Sequence, residues 1–237
     1  MIEELKWDST FFKKKIGELK IDSESQDRIK QAIEKAKNEG FKYIICKLQS
    51  QQTTLIKFLE SLGFYLSDIG VICAIETEKF LIKGYIENSN IIKPKIANEK
   101  DIPLLKKLVK TLFLESRFYS DPFFSKKDAD NLYQTWTENS IKGDTADIVF
   151  FIPSKGLIVC KKLSPHIGKI VLIGVKKRFR GKGIGTTLTE TAMEWFKAHN
   201  IKSVTVRTQL KNLNAINFYI KLGFYIKEYD LIFSKIF

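Results

Sequence analysis

The chain has 237 residues, 40 Lys and Arg against 27 Asp and Glu, and a formal net charge of +13. That is enough material for one large domain or two smaller ones around a buried core, which excludes a disordered tail. The basic residues come in ones and twos with no polybasic block, a pattern that favours a solvated basic surface suited to anionic ligands over a nucleic-acid footprint.

No apolar run approaches the roughly 18 residues of a membrane span, and the opening MIEELKW carries acids where a secretory signal carries bases. A cytoplasmic location is therefore expected, with no membrane or nucleic-acid partner. Cys46, Cys73 and Cys160 lie in apolar, strand-like runs without CxxC spacing and read as buried reduced thiols; no metal is expected.

In chain order, Ser23 with Gln26 offers a capping box for a helix over about 25–38, stopped by Gly40. A strand over about 42–48, a helix near 52–62 and a strand over 64–76 follow. The polar stretch 79–94, ending at Pro94, reads as a linker. Asp101 then caps a helix with Pro103 in its first turn, continued by LLKKLVKTLFLES. After the aromatic loop RFYSDPFF come a helix over about 126–141 and strands at about 147–152, 156–163 and 168–175. The glycine-rich RFRGKGIG at 178–185 opens a helix over about 184–198. Strands succeeded by a crossover helix point to a mixed α/β sheet with flanking helices.

An internal echo organises the whole. Residues 41–75 lie over 201–235 without a gap: Gly63 matches Gly223, Phe64 matches Phe224, Phe58 matches Phe218 and Gln49 matches Gln209. Two related halves follow, a truncated one over 1–78 and a complete one over 95–237. The first lacks a glycine-rich, arginine-bearing turn before its first helix, so only the second is expected to hold an anion.

The turn itself fits neither a P-loop, which needs GxxxxGK[ST], nor a Rossmann fingerprint, since from Gly181 the third glycine position is Thr186. What remains is Arg180, two residues, Gly183, one residue, Gly185, between a strand and a helix. Amides of such a turn, with the positive end of the helix dipole, form a seat for a pyrophosphate, and Arg178, Arg180 and Lys182 add charge-assisted bonds.

These residues, together with Asn212, Ala215 and Tyr219 and the step Leu222-Gly223-Phe224, resemble the acetyl-CoA-binding core of the GCN5-related N-acetyltransferases over roughly 95–237. The resemblance implies a mixed sheet of that type, acetyl-CoA or another acyl-CoA as co-substrate, and a cofactor site at Gly174, Val175, Arg180, Gly181, Lys182, Gly183, Ile184, Gly185, Thr186, Asn212 and Ala215. Val175 would pair with the pantetheine arm and the amides from Arg180 to Thr186 would hold the pyrophosphate. Asn212, Ala215 and Tyr219 share one helix face by their spacing of three and four. Tyr219 is then either the acid that protonates the leaving thiolate or a core tyrosine.

The segments LKWDSTFFKKKIGELKI, ESRFYSDPFFSKKDADNLYQTWTENSIKG and RTQLKN further resemble the dTDP-fucosamine acetyltransferases of bacterial surface-polysaccharide synthesis, in which a truncated half precedes a complete one. The acceptor implied is the amine of a dTDP-linked amino-deoxyhexose. Arg117, Phe118, Tyr119, Phe123 and Phe124, with Gln209, would clamp its diphosphate and stack on its base, or the aromatic loop docks between the halves. The strand KIVLIGV carries no acid, so the general base stays open between Asp68 and Glu115. A protein amine, a polyamine or an aminoglycoside as acceptor, or a module that binds CoA without turnover, are the alternatives, and a homodimer is left open.

Overall fold

The computed structural model describes residues 1–22, 25–81 and 93–237. The chain opens with β1 (Ile2–Glu4), α1 (Lys6–Phe12) and β2 (Ile16–Leu19), then α2 (Gln26–Asn38), β3 (Tyr43–Leu48), α3 (Thr53–Ser61) and β4 (Tyr65–Glu76). After β5 (Lys95–Ile96) come α4 (Ile102–Val109), α5 (Arg117–Ser120), α6 (Lys126–Lys142), β6 (Ile148–Ile152), β7 (Gly156–Lys162) and β8 (Ile167–Val175). The chain ends with α7 (Ile184–Ala198), β9 (Ser203–Gln209), α8 (Leu213–Lys221) and β10 (Tyr225–Ile236).

The mixed α/β architecture read from the sequence is present, as one ten-stranded sheet in the order β1-β2-β3-β10-β4-β9-β8-β7-β6-β5. Among the described residues β2–β3 and β8–β9 are parallel and the other pairs antiparallel.

Alternate strand residues feed two helical layers, as the two-residue period of a strand requires. On one face Val71, Cys73 and Ile75 of β4 and Val204 and Val206 of β9 pack with Leu188, Met193 and Phe196 of α7 and Ile216 and Tyr219 of α8. The same layer continues where α2 and α3 cover Ile44, Cys46 and Leu48. On the other face α4 and α6 cover Val149, Phe151, Leu157 and Val159. There Phe12 of α1, Phe124 and Leu132 meet Tyr43, Ile45 and Ile232.

The strand order reveals an exchange. β4 lies between β10 and β9, and β10 lies between β3 and β4, so each of the two echoing strands pairs with the other segment's preceding strand. Register repeats with the echo: Val71 faces Thr208, and Leu231 faces Leu48, the same pairing moved by the offset that takes Gly63 to Gly223. Gly70 and Asp230, matched by that offset, face one another. A pseudo-twofold axis therefore passes between β4 and β10 at this pair.

Several local expectations change. The cap of α2 is Ser25, whose side chain accepts from Arg28 N; Ser23 lies outside the described residues. Asp101 holds the N-cap position of α4 as expected but makes no side-chain cap there: its carboxylate accepts from Asn98 N in a capping box that closes the preceding turn Glu99–Asp101. Helix α4 stops at Val109, and α5 forms inside the expected aromatic loop. The short β1, α1 and β2 had no counterpart in the sequence reading. Of the stretch 79–94, residues 82–92 lie outside the described residues, while Phe80 is buried with its carbonyl accepting from Lys197 Nζ at 3.2 Å.

Candidate active site

Strands β8 and β9 run parallel from Ile167 opposite Ser203 to Ile170 opposite Val206 and then part. The cause is local. A bulge shifts the β7–β8 register between Cys160–Ile170 and Val159–Leu172, leaving Val171 as the extra residue. β8 then follows β7 to Val175 opposite Gly156, while β9 follows β4 to Gln209 opposite Gly70. A wedge opens between their carboxyl ends, the place where open α/β sheets hold ligands. A Cβ on Gly174 would stand 2.9 Å from Leu112 Cβ, so glycine is what lets β8 lie against the chain that follows α4.

The glycine turn closes the wide end of the wedge. Gly181 and Gly183 have φ of +72° and +78°, a region that costs a residue with a Cβ about 1–2 kcal/mol. Gly183 is the N-cap of α7, and the first intrahelical bond runs from Thr187 N to Gly183 O at 2.9 Å, so the amides of Ile184, Gly185 and Thr186 precede the helical ladder. A Cβ on Gly185 would come within 3.2 Å of the Phe218 ring, which fixes the helix entry against α8. Arg180 Nε donates to Val175 O at 3.0 Å, tying the turn to the strand end. With Lys176, Lys177, Arg178 and Lys182 nearby in sequence, the loop fits an anion as a set of amides under a basic rim.

Across the wedge, Asn212 caps α8, its Oδ1 accepting from Ala215 N at 3.2 Å. Asn212 and Ala215 are half-buried and Tyr219, on the same helix face, is buried at 3% exposure. Burial, with a smaller contribution from Cys73, pushes the Tyr219 phenol well above its ordinary range, so it keeps its proton. Tyr219 packs against Phe218 and Phe224 in the core, on the helix that flanks the wedge.

The other face of the sheet carries the charged groups. Asp68 of β4 is 8% exposed and its carboxyl is pushed up by burial, against the opposing pull of the neighbouring strand amide of Ile69 and of Lys211, Arg117 and Arg207. It lies beside the end of β9, since Leu210 N donates to Ile69 O at 2.8 Å. Gln209 is half-buried at that strand end, whereas Glu115 is exposed in the turn before α5.

Arg117 sits over Phe118, 4.6 Å from the ring centre, and Nη1 reaches the Tyr43 hydroxyl at 3.4 Å. The loop's aromatic faces are mostly spent on one another. Phe123 stacks on Tyr43 at 4.3 Å with Lys14 Nζ 4.4 Å from its ring centre, Phe124 is buried, and the Tyr119 hydroxyl donates to Asp130 Oδ1 at 2.6 Å.

Several residues of this face escaped the sequence reading. Asp121, 4% exposed, accepts from the Tyr43 and Tyr65 hydroxyls at 2.6 and 3.0 Å and from Phe123 N at 3.0 Å, fastening the loop to β3 and β4. Arg207 of β9 donates twice to Asp230 of β10, at 3.0 and 2.5 Å, passing over Gly70 of the intervening β4. Lys211 Nζ donates to Ser120 Oγ at 2.6 Å, joining the β9–α8 turn to α5. Asp121 lies within RFYSDPFF, and Arg207 and Lys211 lie within RTQLKN, but neither segment carries a local signal for these pairings.

Elsewhere, the three cysteines are free and buried. His166 and His199 line an open cavity of about 510 Å³ at the start of β8, away from the wedge. Among the described residues no cluster of three metal-ligating side chains occurs, and no helix is long and apolar enough to cross a membrane.

Comparison with known proteins agrees with this geometry. Residues 111–224 match the model of the acetyltransferase (GNAT) family. The chain is 26% identical over 227 residues, 94% of its length and 92% of the relative's, to dTDP-fucosamine acetyltransferase of Escherichia coli O6:H1 strain CFT073. It is 32% identical over 126 residues, 52% of its length and 44% of the relative's, to the spore coat polysaccharide biosynthesis protein SpsD of Bacillus subtilis strain 168. A third relative, streptothricin acetyltransferase A of the same organism, is 30% identical over 120 residues, 50% of this chain and 67% of that protein. The chain belongs to the GNAT acetyltransferase family and is an N-acyltransferase.

Proposed function

We propose that the protein transfers an acetyl or other acyl group from acyl-CoA to the amine of a dTDP-linked amino-deoxyhexose, in the cytoplasm, for surface-polysaccharide synthesis. The observation that carries the acceptor is similarity to a dTDP-fucosamine acetyltransferase over nearly the whole of both chains, substrate-side segments included. The duplicated register supports reading 1–78 and 95–237 as two copies of one unit.

Bound acyl-CoA would supply an activated thioester. The amides of Gly181 to Thr186 and the basic rim of Arg180 and Lys182 would hold its diphosphate, and Gly174 and Val175 on one side with Asn212 and Ala215 on the other would line its arm. Arg117 and the aromatic loop would orient the acceptor on the opposite face. The amine nitrogen then forms a C–N bond with the acyl carbon as the C–S bond breaks. Tyr219 gives its proton to the sulfur, and Asp68 takes the proton lost by the amine. Asp68 suits that second task because burial raises its pKa and it lies beside the wedge, whereas Glu115 is exposed in the turn before α5.

Thermal stabilisation by acetyl-CoA, followed by thiol release on adding a dTDP-linked amino-deoxyhexose, is the expected outcome. Thiol release with other amines and none with such sugars would overturn the acceptor. A free amino group of an antibiotic is the second reading, favoured by the streptothricin acetyltransferase similarity. Competition by free dTDP separates the two.

A further inference from the structure

The aromatic loop has few open ring faces to offer a base, but the same side of the molecule has another. Trp7 of α1 is 48% exposed and lies parallel to Phe11, one turn on, with centroids 5.0 Å apart and 6° between planes. An indole this exposed is normally turned down onto apolar surface; here it stands on a second ring, which fixes its plane and leaves its outer face open.

Phe11 is also one wall of a cleft of about 260 Å³ whose other walls are Lys106 of α4 and Asp128, Asn131, Gln134 and Thr135 of α6. Gln134 spends one amide hydrogen on Asp130 O at 3.0 Å, keeping its Oε1 and second hydrogen. Carboxamides on one helix face present donors and acceptors side by side, the complement of a pyrimidine imide edge. Position agrees with this use. Asp8, next to Trp7, is close enough to Arg117 for the guanidinium to pull its carboxyl down against the stronger effect of burial. Phe12 stacks toward Phe118 at 6.1 Å. Trp7 therefore lies one step outward from the arginine expected to meet a diphosphate.

We infer that Trp7 and the cleft beside Phe11 form the subsite for the nucleobase of a nucleoside-diphosphate acceptor, with the ring on Trp7 and its edge toward Asn131 and Gln134. This rests on the nucleotide-linked acceptor proposed above.

The test uses the full chain and free dTDP as probe, by calorimetry on the wild type, Trp7→Ala and Trp7→Phe, with melting curves for each. Loss of one aromatic platform weakens binding of a base by about tenfold. Trp7→Ala is expected to bind dTDP at least that much more weakly and to raise KM for the sugar nucleotide without changing KM for acetyl-CoA. Trp7→Phe, which keeps a ring, should stay within about threefold of the wild type. Equal dTDP affinity in all three proteins would overturn the subsite while leaving the nucleotide-linked acceptor standing. No binding of dTDP to the wild type would remove both.

Discussion

Replacing Gly70 by alanine would place a methyl group 1.8 Å from Arg207 Nη2, 2.3 Å from its Cζ and 2.5 Å from Asp230 Oδ1. The sheet on both sides of Gly70 is fixed by its pairing with Gln209 and Asp230, so the guanidinium, at the end of a flexible chain, is the part that gives way. What is lost is a two-bonded ion pair whose side chains are only 29% and 17% exposed. Hydrogen bonds to charged groups contribute about 1.5–3 kcal/mol, and screening at this exposure places the pair near 2 kcal/mol. Alanine in a strand recovers about 0.5–1 kcal/mol of backbone entropy relative to glycine. The net loss is about 1–1.5 kcal/mol, or roughly 2–6 °C in Tm for a chain of this size. A double-mutant cycle with Arg207→Met, read by urea denaturation, isolates the cause. In the Arg207→Met background Gly70→Ala should be neutral or slightly stabilising, giving a coupling of about 2 kcal/mol. Equal destabilisation in both backgrounds would mean that Gly70 serves the strand pairing itself and that the ion pair does not explain the glycine.

Three further outcomes follow from the site. Asp68→Asn should raise Tm at pH 7 while lowering kcat/KM at least tenfold. The folded chain holds that proton more tightly than the unfolded one, so the ionised side chain costs stability that is present below the ordinary carboxyl pKa and lost as pH rises through the folded value; the Tm gain should therefore vanish towards acid pH. A variant less stable than wild type at pH 7 would contradict this. Tyr219→Phe should cut kcat by about a hundredfold with KM for acetyl-CoA little changed, and wild-type kcat should show no alkaline fall from this phenol below about pH 10; full activity in steady-state assays would return Tyr219 to a packing role. Gly183→Ala, at φ +78°, should weaken acetyl-CoA in calorimetry by about tenfold, the equivalent of 1–2 kcal/mol of backbone strain, without altering dTDP binding; unchanged acetyl-CoA affinity would detach the turn from the cofactor.

The glycine turn and α7 were legible because their signals are local: positive φ demands glycine, and a fifteen-residue amphipathic run admits few alternatives. The two- to four-residue strands β1, β2 and β5 are too short to show a period. The cap of α2 falls at Ser25, two residues past the one expected, because neighbouring polar residues satisfy the same rule and only the side-chain geometry chooses among them.

The strand exchange was hidden for a deeper reason. β4 and β10 occupy equivalent places in the echo and carry similar apolar patterns, so alternation is satisfied whether each returns to its own neighbour or to the other's. The echo nevertheless contained the answer in one pair of positions. Gly70 and Asp230 correspond under its offset and also face each other, which can happen only where the symmetry axis runs between the two strands. There the symmetry is broken: Asp230 takes the arginine from β9, and its counterpart must be a glycine to let the pair pass over it. The same exchange carries Asp68 of β4 to the end of β9, at the side of the wedge. Strand β4, early in the chain, is thus built into the middle of the sheet between β10 and β9, and a chain cut between β4 and β5 would lose that strand, and Asp68 with it, from beside the wedge.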